Sequence, residues 1–289
     1  MELIQTIQGA IDYMEAHITE PITYADVAKS LYLSGFHFHR MFSMVVGITP
    51  AEYLRRRRLS LAGEALSAGG GKVLDVALQY GYDSPESFTK AFTRFHGITP
   101  SAARRSGAVL RQFNRLSVKI LVEGGDSMQY RIEKRDAFSL LAAVRSFPNA
   151  VAGDNDNHEI HDFWMECGEN GTMNVLKSHA TDGALYGVCE SISNDRPDFR
   201  YGIAVQHGDE ALVPDGLERW TVEAGTWAVF PCIGRDEDNV IGETWGKIFR
   251  EFLPQSGYKM LDRADLEVYG DALGEGVFCE IWIPVHKKT

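Results

Sequence analysis

The sequence predicts a multidomain protein in which an all-α region with two helix-turn-helix units precedes an α+β domain. Two observations lead to this prediction. A motif on a helical pattern recurs within the first hundred residues, and the alternation of apolar and polar residues that is typical of strands begins near residue 128. In the second region the order strand-helix-strand-strand occurs twice, so we expect a sheet with helices on one face.

The bulk composition excludes several classes of protein. Of the 289 residues 44% are hydrophobic, which is enough for a sizeable core, and the length is nearer to two ordinary domains than to one. Because no apolar run approaches the roughly 18 residues of a membrane span and the N-terminus does not resemble a secretory signal, we expect a cytoplasmic protein without membrane partners. The four cysteines have no paired spacing, which predicts reduced thiols, no zinc site and no cofactor.

The net charge of −11 is unevenly distributed along the chain. Residues 1–115 contain 13 basic and 10 acidic side chains, a balance of +3, whereas residues 116–289 contain 16 and 30, a balance of −14. The first region can therefore approach phosphates, while the second repels them and attracts cations.

The internal repeat has an offset of 50 residues. The stretch Ser34-Gly-Phe-His-Phe-His-Arg-Met-Phe42, followed by Gly47-Ile-Thr-Pro50, returns as Ser84-Pro-Glu-Ser-Phe-Thr-Lys-Ala-Phe92, followed by Gly97-Ile-Thr-Pro100. A Val-Ala pair on an apolar helical pattern precedes each copy, and a short turn separates the two parts. This arrangement predicts two helix-turn-helix units.

The second helix of each unit is predicted to have one buried and one exposed face. The first serine of each copy is the N-cap, and Pro85 suits the first helical position. Pairs of phenylalanines four residues apart mark the buried face. The opposite face should meet base edges in the major groove, with Arg40 as the principal reader because its fork can bond guanine at two acceptors. The predicted DNA contacts are Phe36, His39, Arg40, Glu86, Thr89 and Lys90.

A predicted helix with four consecutive arginines, Arg55 to Arg58, connects the two units. Consecutive helical residues turn by about 100°, so at most two of these arginines are expected to meet phosphate. The alternative is that they form a solvated face or pair with local acids such as Glu52.

Residues 3–106 resemble the DNA-binding domain of the AraC/XylS family of bacterial regulators. The family's second unit is similar to the stretch from Val76 to Phe92. The resemblance implies promoter DNA and RNA polymerase as partners and activation of transcription as the function, for which a monomer suffices. Relatives often carry tryptophan and glutamine at the positions of Phe36 and His39, and glutamines at those of Pro85 and Glu86. We therefore expect a different target sequence and a second unit that mainly holds phosphates.

The second region is predicted to be a separate α+β domain. We place the domain boundaries at 1–106 and 128–289, with 107–127 as a linker that contains Gly124-Gly125-Asp126. Helices are predicted at 158–169 and 239–253. Strands are predicted near 130–132 and at 184–190, 201–206, 227–230, 266–269 and 278–285.

The motifs Leu266-Glu-Val-Tyr269 and Glu280-Ile-Trp-Ile-Pro284 resemble those of the gyrase-inhibitor-like ligand-binding domain, over roughly residues 128–286. The resemblance implies a pocket for lipophilic, often cationic, small molecules, with carboxylates near aromatic rings. Within each strand the alternation of side chains brings carboxylates and aromatic residues to common faces. The predicted ligand-binding residues are Glu267, Glu280, Tyr269, Trp282, Trp245 and Tyr186.

Three alternatives stay open at this point. Some members of the gyrase-inhibitor-like fold are thought to hydrolyse small electrophilic toxins, which would make Glu267 a general base, although we favour a protein that is not an enzyme. The pair His158 and His161 has metal-ligand chemistry but no clear third ligand, so we predict no metal site. Finally, the second domain can belong to an activator that is insensitive to ligands.

Overall fold

A computed structural model describes residues 2–33, 35–69, 71–118, 128–148, 158–190, 198–208, 212–235 and 239–288. The chain forms two compact units. The first contains Met1–Tyr32 and Val46–Leu121, and the second contains Leu33–Val45 and Val122–Thr289. The second unit therefore includes a short segment from the middle of the helical region. The boundaries of the functional domains stay predictions.

The helical region contains two helix-turn-helix units, as predicted. In chain order α2 and α3 correspond to the first and α5 and α6 to the second, and α4, the longest described helix, lies between them in the sequence. In the second unit Phe88 and Phe92 pack with Leu59 and Leu66 of α4 in a fully buried cluster. The helices are α1 Glu2–Ala16, α2 Tyr24–Ser30, α3 Gly35–Val46, α4 Pro50–Ser67, α5 Val73–Gln79, α6 Pro85–His96 and α7 Pro100–Ala103.

Local backbone chemistry sets the ends of these helices. Ser84 caps α6 by accepting a hydrogen bond from the Ser87 amide at 3.1 Å, with Pro85 in the first turn. The predicted cap Ser34 lies outside the described residues. The turn between the two helices needs a left-handed residue, which is Tyr32 (φ 56°) in the first copy and Gly81 (φ 81°) in the second. The first copy thus carries a side chain where the second has glycine.

The four arginines of α4 all have partners within the chain. Arg55 and Arg56 both pair with Glu52, as the local-pairing alternative proposed. Arg57 is buried and bonds Glu15 at 2.8 and 2.9 Å. Arg58 donates to backbone carbonyls of the loop after α1. These arginines therefore stabilise the helical region, whatever their contribution to DNA binding.

The second region is an α+β fold, as predicted, and its described residues contain nine strands in one antiparallel sheet. The strand order is β1-β6-β9-β8-β3-β4-β2-β5, and β7 pairs with β9. Strands β1, β2, β3 and β4 correspond to β5, β6, β8 and β9, respectively. When each strand is replaced by its counterpart, the order read from the other end is unchanged, so the sheet reflects the predicted duplication. The strands are β1 Arg131–Arg135, β2 Phe138–Pro148, β3 Leu185–Cys189, β4 Asp198–His207, β5 Glu218–Val222, β6 Gly225–Ile233, β7 Tyr258–Met260, β8 Asp265–Tyr269 and β9 Val277–Lys287.

The helices of this region cover one face of the sheet. Helices α8 (His158–Glu169) and α9 (Thr172–His179) pack on a buried cluster that includes Leu141 and Ile203. Helix α10 (Val240–Lys247) continues into a π-helical turn, Ile248–Phe252, and a short helix α11, Leu253–Gln255. The phenylalanine at the end of the π-helical turn contacts Phe230 of β6 with ring centroids 4.8 Å apart. We call this the helix-bearing face.

Three strands and one helix, namely β2, β5, β7 and α9, were not predicted. Strand β2 shows why, because Leu141 belongs to the cluster on the helix-bearing face while Leu140 and Ala142 belong to a cluster on the opposite face. A strand buried on both faces has no alternation of apolar and polar residues. Periodicity alone therefore cannot detect it.

The predicted linker is described over residues 107–118, and these pack on the helical region. The backbone of Phe113 bonds Ser60 and Arg57 of α4. The Val118 amide bonds Gln8 of α1. The remainder of the linker lies outside the described residues. Across the described ranges, no helix combines the length and the apolar character needed to span a membrane.

Replacing Tyr32 by glycine is expected to stabilise the first compact unit, which contains Met1–Tyr32 and Val46–Leu121. A left-handed backbone costs a non-glycine residue about 1–2 kcal/mol, while glycine costs about 0.5–1 kcal/mol in the entropy of the unfolded chain. The side chain is 95% exposed, so its removal leaves no cavity. We therefore expect Tyr32→Gly to slow native-state hydrogen exchange in α1 and α4, with a gain of roughly 0.5–1 kcal/mol.

Val109→Gly is the matched control, because Val109 is 84% exposed and is not among the residues with a positive φ. Val109→Gly is expected to destabilise the same compact unit by roughly 0.5–1 kcal/mol. Equal effects of the two substitutions would show that the backbone at Tyr32 is not strained.

Candidate functional site

Glu267 lies on β8, near the centre of the sheet. It is paired with Gly187 of β3 and Ile281 of β9. Because β3 and β8 are corresponding strands of the two repeats, the site lies where the repeats meet. The side chain is half-buried on the helix-bearing face.

Two tyrosine hydroxyls donate to this carboxylate. Tyr269 Oη is 3.0 Å from Glu267 Oε2, and Tyr201 Oη of β4 is 3.4 Å from the same atom. Trp164 Nε1 of α8 in turn donates to Tyr201 Oη at 3.1 Å, and the Trp164 and Tyr269 rings meet edge to face. The carboxylate therefore lies beside three aromatic side chains.

Gly187 permits the close approach of the Tyr201 hydroxyl to the Glu267 carboxylate. A Cβ atom at this position would overlap the Tyr201 hydroxyl and would be 3.1 Å from Glu267 Oε2. Any larger residue would push the hydroxyl away from the carboxylate. The arrangement thus depends on glycine at the centre of β3.

Burial dominates the electrostatics of the site. It raises the pKa of Glu267, since the charged form is poorly solvated, and the nearby Asp265 raises it further, while the charge of Arg40 opposes both effects. Burial also raises the pKa values of Tyr201 and Tyr269 well above their usual range, so both hydroxyls keep their protons and act as donors. A cation placed here would stabilise the ionised carboxylate.

A cationic side chain already lies close to this carboxylate. Within the second unit the guanidinium carbon of Arg40, on α3, lies 3.4 Å from the centroid of the Trp245 ring. Its Nη1 atom is 3.1 Å from Asp265 Oδ1 and 3.2 Å from Oδ2. Stacking on a tryptophan and a charge-assisted hydrogen bond are both favourable, by about 0.5–2 and about 1.5–3 kcal/mol respectively.

The prediction that this face of α3 is exposed is therefore wrong in the structure. The Arg40 side chain is only 16% exposed, because it packs on Trp245 and Asp265. His39 is partly buried, and burial lowers its pKa. Phe36 belongs to α3, but its side chain lies outside the described part of the chain. The DNA-binding roles of Phe36, His39 and Arg40 stay predictions.

The corresponding face of α6 is open to solvent. Glu86 and Lys90 are exposed and Thr89 is partly exposed, and together they line a shallow surface concavity with Thr93 and Arg94. This geometry is compatible with the predicted contacts of Glu86, Thr89 and Lys90 to DNA, which stay predictions.

The predicted ligand-binding residues divide between the two faces of the sheet. Glu267 and Tyr269 lie on the helix-bearing face, where α10 also packs and brings Trp245. Glu280 of β9 pairs with Val268, which belongs with Tyr186 and Trp282 to the opposite cluster. The prediction of one pocket from all six residues is therefore wrong, because the side chains of Glu267 and Glu280 lie on opposite faces of the sheet.

Glu280 instead has its own partners on that opposite face. Arg131 of β1 bonds its two oxygens at 2.5 and 2.8 Å, and Trp282 Nε1 donates to it at 3.1 Å. The Arg131 guanidinium also lies 5.6 Å from the Trp282 ring centroid. Glu280 is thus an acid whose charge is already balanced.

Sequence reasoning missed three members of the site. Asp265, Tyr201 and Trp164 were not among the predicted ligand-binding residues. For Asp265 the signal was present, since it lies two residues before Glu267 and so shares its face. For Tyr201 the necessary information was the pairing of β3 with β4, which sequence periodicity does not supply. In the described ranges no three potential metal-binding side chains come together.

We expect Glu267→Gln to change how stability depends on pH. An acid whose folded pKa is raised contributes stability that is present below its unfolded pKa of about 4.3 and is lost as the pH rises through the folded value. The glutamine side chain of the variant does not titrate, so the variant does not lose this stability as the pH rises. As the pH rises above about 4.3, the free energy of unfolding should therefore fall less in the variant than in the wild type.

Urea unfolding followed by tryptophan fluorescence measures this, because all five tryptophans lie between residues 164 and 282. Parallel pH profiles of the two proteins would contradict the assigned shift.

Comparison with known proteins assigns both regions. The model of the integron-associated effector binding protein family (Cass2) matches residues 131–285, and that of a helix-turn-helix domain matches residues 27–106. The integron cassette protein VCH_CASS2 of Vibrio cholerae aligns with 54% of this chain and 95% of its own, at 19% identity and a TM-score of 0.41.

Curated relatives match the helical region. The regulator YbfP of Bacillus subtilis is 37% identical over 100 residues, which are 35% of this chain and 34% of YbfP. The regulatory protein SoxS of Salmonella typhimurium is 37% identical over 100 residues, which are 35% of this chain and 94% of SoxS. The chain thus spans only about a third of the length of relatives such as YbfP. Both resemblances inferred from sequence motifs are confirmed. The chain belongs to the integron-associated effector binding protein family and carries an AraC-type helix-turn-helix domain before its effector-binding region.

Proposed function

We propose that this protein is a transcription regulator that binds promoter DNA through its helix-turn-helix units and a lipophilic organic cation at Glu267. The observation that carries the proposal is a half-buried carboxylate with a raised pKa, surrounded by Trp164, Tyr201 and Tyr269. The hydrogen-bond donors to this carboxylate are neutral, and the nearby charge of Arg40 offsets only part of the cost of burial, because the pKa stays raised. An organic cation supplies the missing charge and gains from the aromatic faces.

The charge distribution supports the assignment of DNA binding to the helical region and of cation binding to the second region. The region that carries the carboxylate site has a balance of −14, which attracts cations and repels nucleic acid. The helical region has a balance of +3, and α6 presents Lys90 and Arg94 to solvent. We propose that the helical region alone contacts DNA and that RNA polymerase is a further partner at the promoter.

We expect tetraphenylphosphonium to bind the wild-type protein saturably and to change its tryptophan fluorescence. Glu267→Gln keeps the shape of the side chain but removes its charge, so it should weaken this binding at least tenfold, equivalent to about 1.4 kcal/mol. Glu280→Gln is the matched control, because Glu280 is a buried acid beside a tryptophan on the opposite face of the sheet. Its affinity should equal that of the wild type.

Loss of binding in both variants would indicate a nonspecific effect of charge, and unchanged binding in both would exclude Glu267 as the cation partner.

We expect Arg40 and Lys90 to contribute differently to DNA binding. With a duplex selected from a random-sequence pool, Arg40→Ala should weaken specific binding by about 1–3 kcal/mol and relax one base preference. Lys90→Ala should weaken binding more uniformly across sequences and reduce the salt slope by about 1 if it contacts a phosphate. Gel-shift titrations at several salt concentrations distinguish the two. An equal loss on selected and random DNA would contradict base reading by Arg40.

One observation favours a second candidate function. A carboxylate with a raised pKa beside two tyrosine hydroxyls has the chemistry of a general base that activates water. Hydrolysis of an electrophile such as styrene oxide, abolished in Glu267→Gln, would favour this reading over cation sensing.

A further inference from the structure

The site described above contains a cation that belongs to the chain itself. Arg40 stacks on Trp245 at 3.4 Å and bonds Asp265 at 3.1 and 3.2 Å. Asp265 and Glu267 lie two residues apart on the same strand face, and the charge of Arg40 acts on Glu267 as well. One guanidinium therefore stacks on the Trp245 ring, bonds the Asp265 carboxylate and acts through its charge on the Glu267 carboxylate.

This arrangement selects a particular kind of cation. The stacking distance requires a flat group, and the bonds to Asp265 require N–H donors, which guanidinium and amidinium groups provide together. Trp245 Nε1 is also buried and has no hydrogen-bond acceptor in the described part of the chain. A bound molecule with an acceptor next to its cationic group would satisfy this donor.

The placement of α3 in the fold is a second, independent observation. Leu33–Val45 belongs to the same compact unit as the sheet, although the residues on either side of it belong to the first unit. Helix α3 is the second helix of a helix-turn-helix, and Arg40 is its predicted reader of guanine. A side chain that is buried against Trp245 and Asp265 is not presented to a base edge.

We propose that Arg40 is an internal ligand of the cation site, and that flat amidinium or guanidinium compounds bind by displacing it and thereby release α3. This inference rests on the proposed function, and it defines the class of effector and its coupling to DNA. The same guanidinium cannot occupy the site and contact guanine. An effector that takes its place on Trp245 and Asp265 makes Arg40 available to the promoter.

The coupling has a quantitative consequence. The apparent dissociation constant of a competing ligand equals its intrinsic constant divided by the fraction of molecules with a vacant site. If Arg40 occupies the site in about nine molecules of ten, its removal tightens binding about tenfold. A structural ion pair without a role in ligand binding predicts no such gain.

The experiment uses the full chain and benzamidine, with neutral benzamide as the matched compound. Calorimetric titrations are made with the wild type, Arg40→Gln and Arg131→Gln. Arg131 is the matched control residue because it also bonds a buried acid and lies over a tryptophan, but on the opposite face of the sheet. Hydrogen exchange of the α3 amides is measured with and without benzamidine, and circular dichroism verifies the folding of each variant.

We expect benzamidine to bind and benzamide not to bind. Arg40→Gln should bind benzamidine about tenfold more tightly than the wild type, whereas Arg131→Gln should match the wild type. Saturating benzamidine should accelerate exchange in Gly35–Val46 of the wild type. A wild type that does not bind, together with an Arg40→Gln variant that does, would also support displacement.

Three outcomes would overturn the inference. Equal affinity of wild type and Arg40→Gln, or unchanged exchange in α3, leaves a cation site without displacement. Binding of tetraphenylphosphonium at Glu267 without any binding of benzamidine leaves the proposed function intact but refutes the amidinium class. Absence of binding of either cation, in the wild type and in Arg40→Gln, refutes the proposed function together with the inference.

Discussion

The poorly solvated carboxylate of Glu267 is the constraint on which this site depends. An ionised acid on a sheet face that helices cover loses most of its water, and the two tyrosine hydroxyls replace that water only in part. The raised pKa expresses the remaining imbalance. The nearby charge of Arg40 reduces the imbalance, so the energetics of α3 and of the carboxylate are linked. A buried ion pair of this kind recovers only part of its desolvation cost, which keeps it exchangeable with another cation.

Duplication explains why the carboxylate lies at the centre of the sheet. The two repeats join through β3 and β8, and their helices cover the same face of the sheet. Glycine in β3 and glutamate in β8 are then direct neighbours. The same geometry separates Glu267 from Glu280, since adjacent strands present them to opposite faces. One repeat junction thus produces one site on the helix-bearing face rather than two equivalent pockets.

Much of the fold was predictable from the sequence, because local rules govern it. The serine and proline at the start of α6, the phenylalanine pairs and the 50-residue offset determine the helix-turn-helix units. The alternation in β8 correctly placed Glu267 and Tyr269 on one face. Strand β2 was missed because both of its faces are buried, and the partner of Arg40 was missed because it is 225 positions distant in the chain. Contacts that depend on tertiary pairing leave no periodic signal.

The proposed exchange requires that one site holds either Arg40 or an external cation. Crystal structures of the full chain with and without benzamidine distinguish the two states. If the exchange occurs, the amidinium stacks on Trp245 and bonds Asp265, and the Arg40 side chain is withdrawn from both. Benzamidine bound elsewhere, with Arg40 still on Asp265, would refute the exchange.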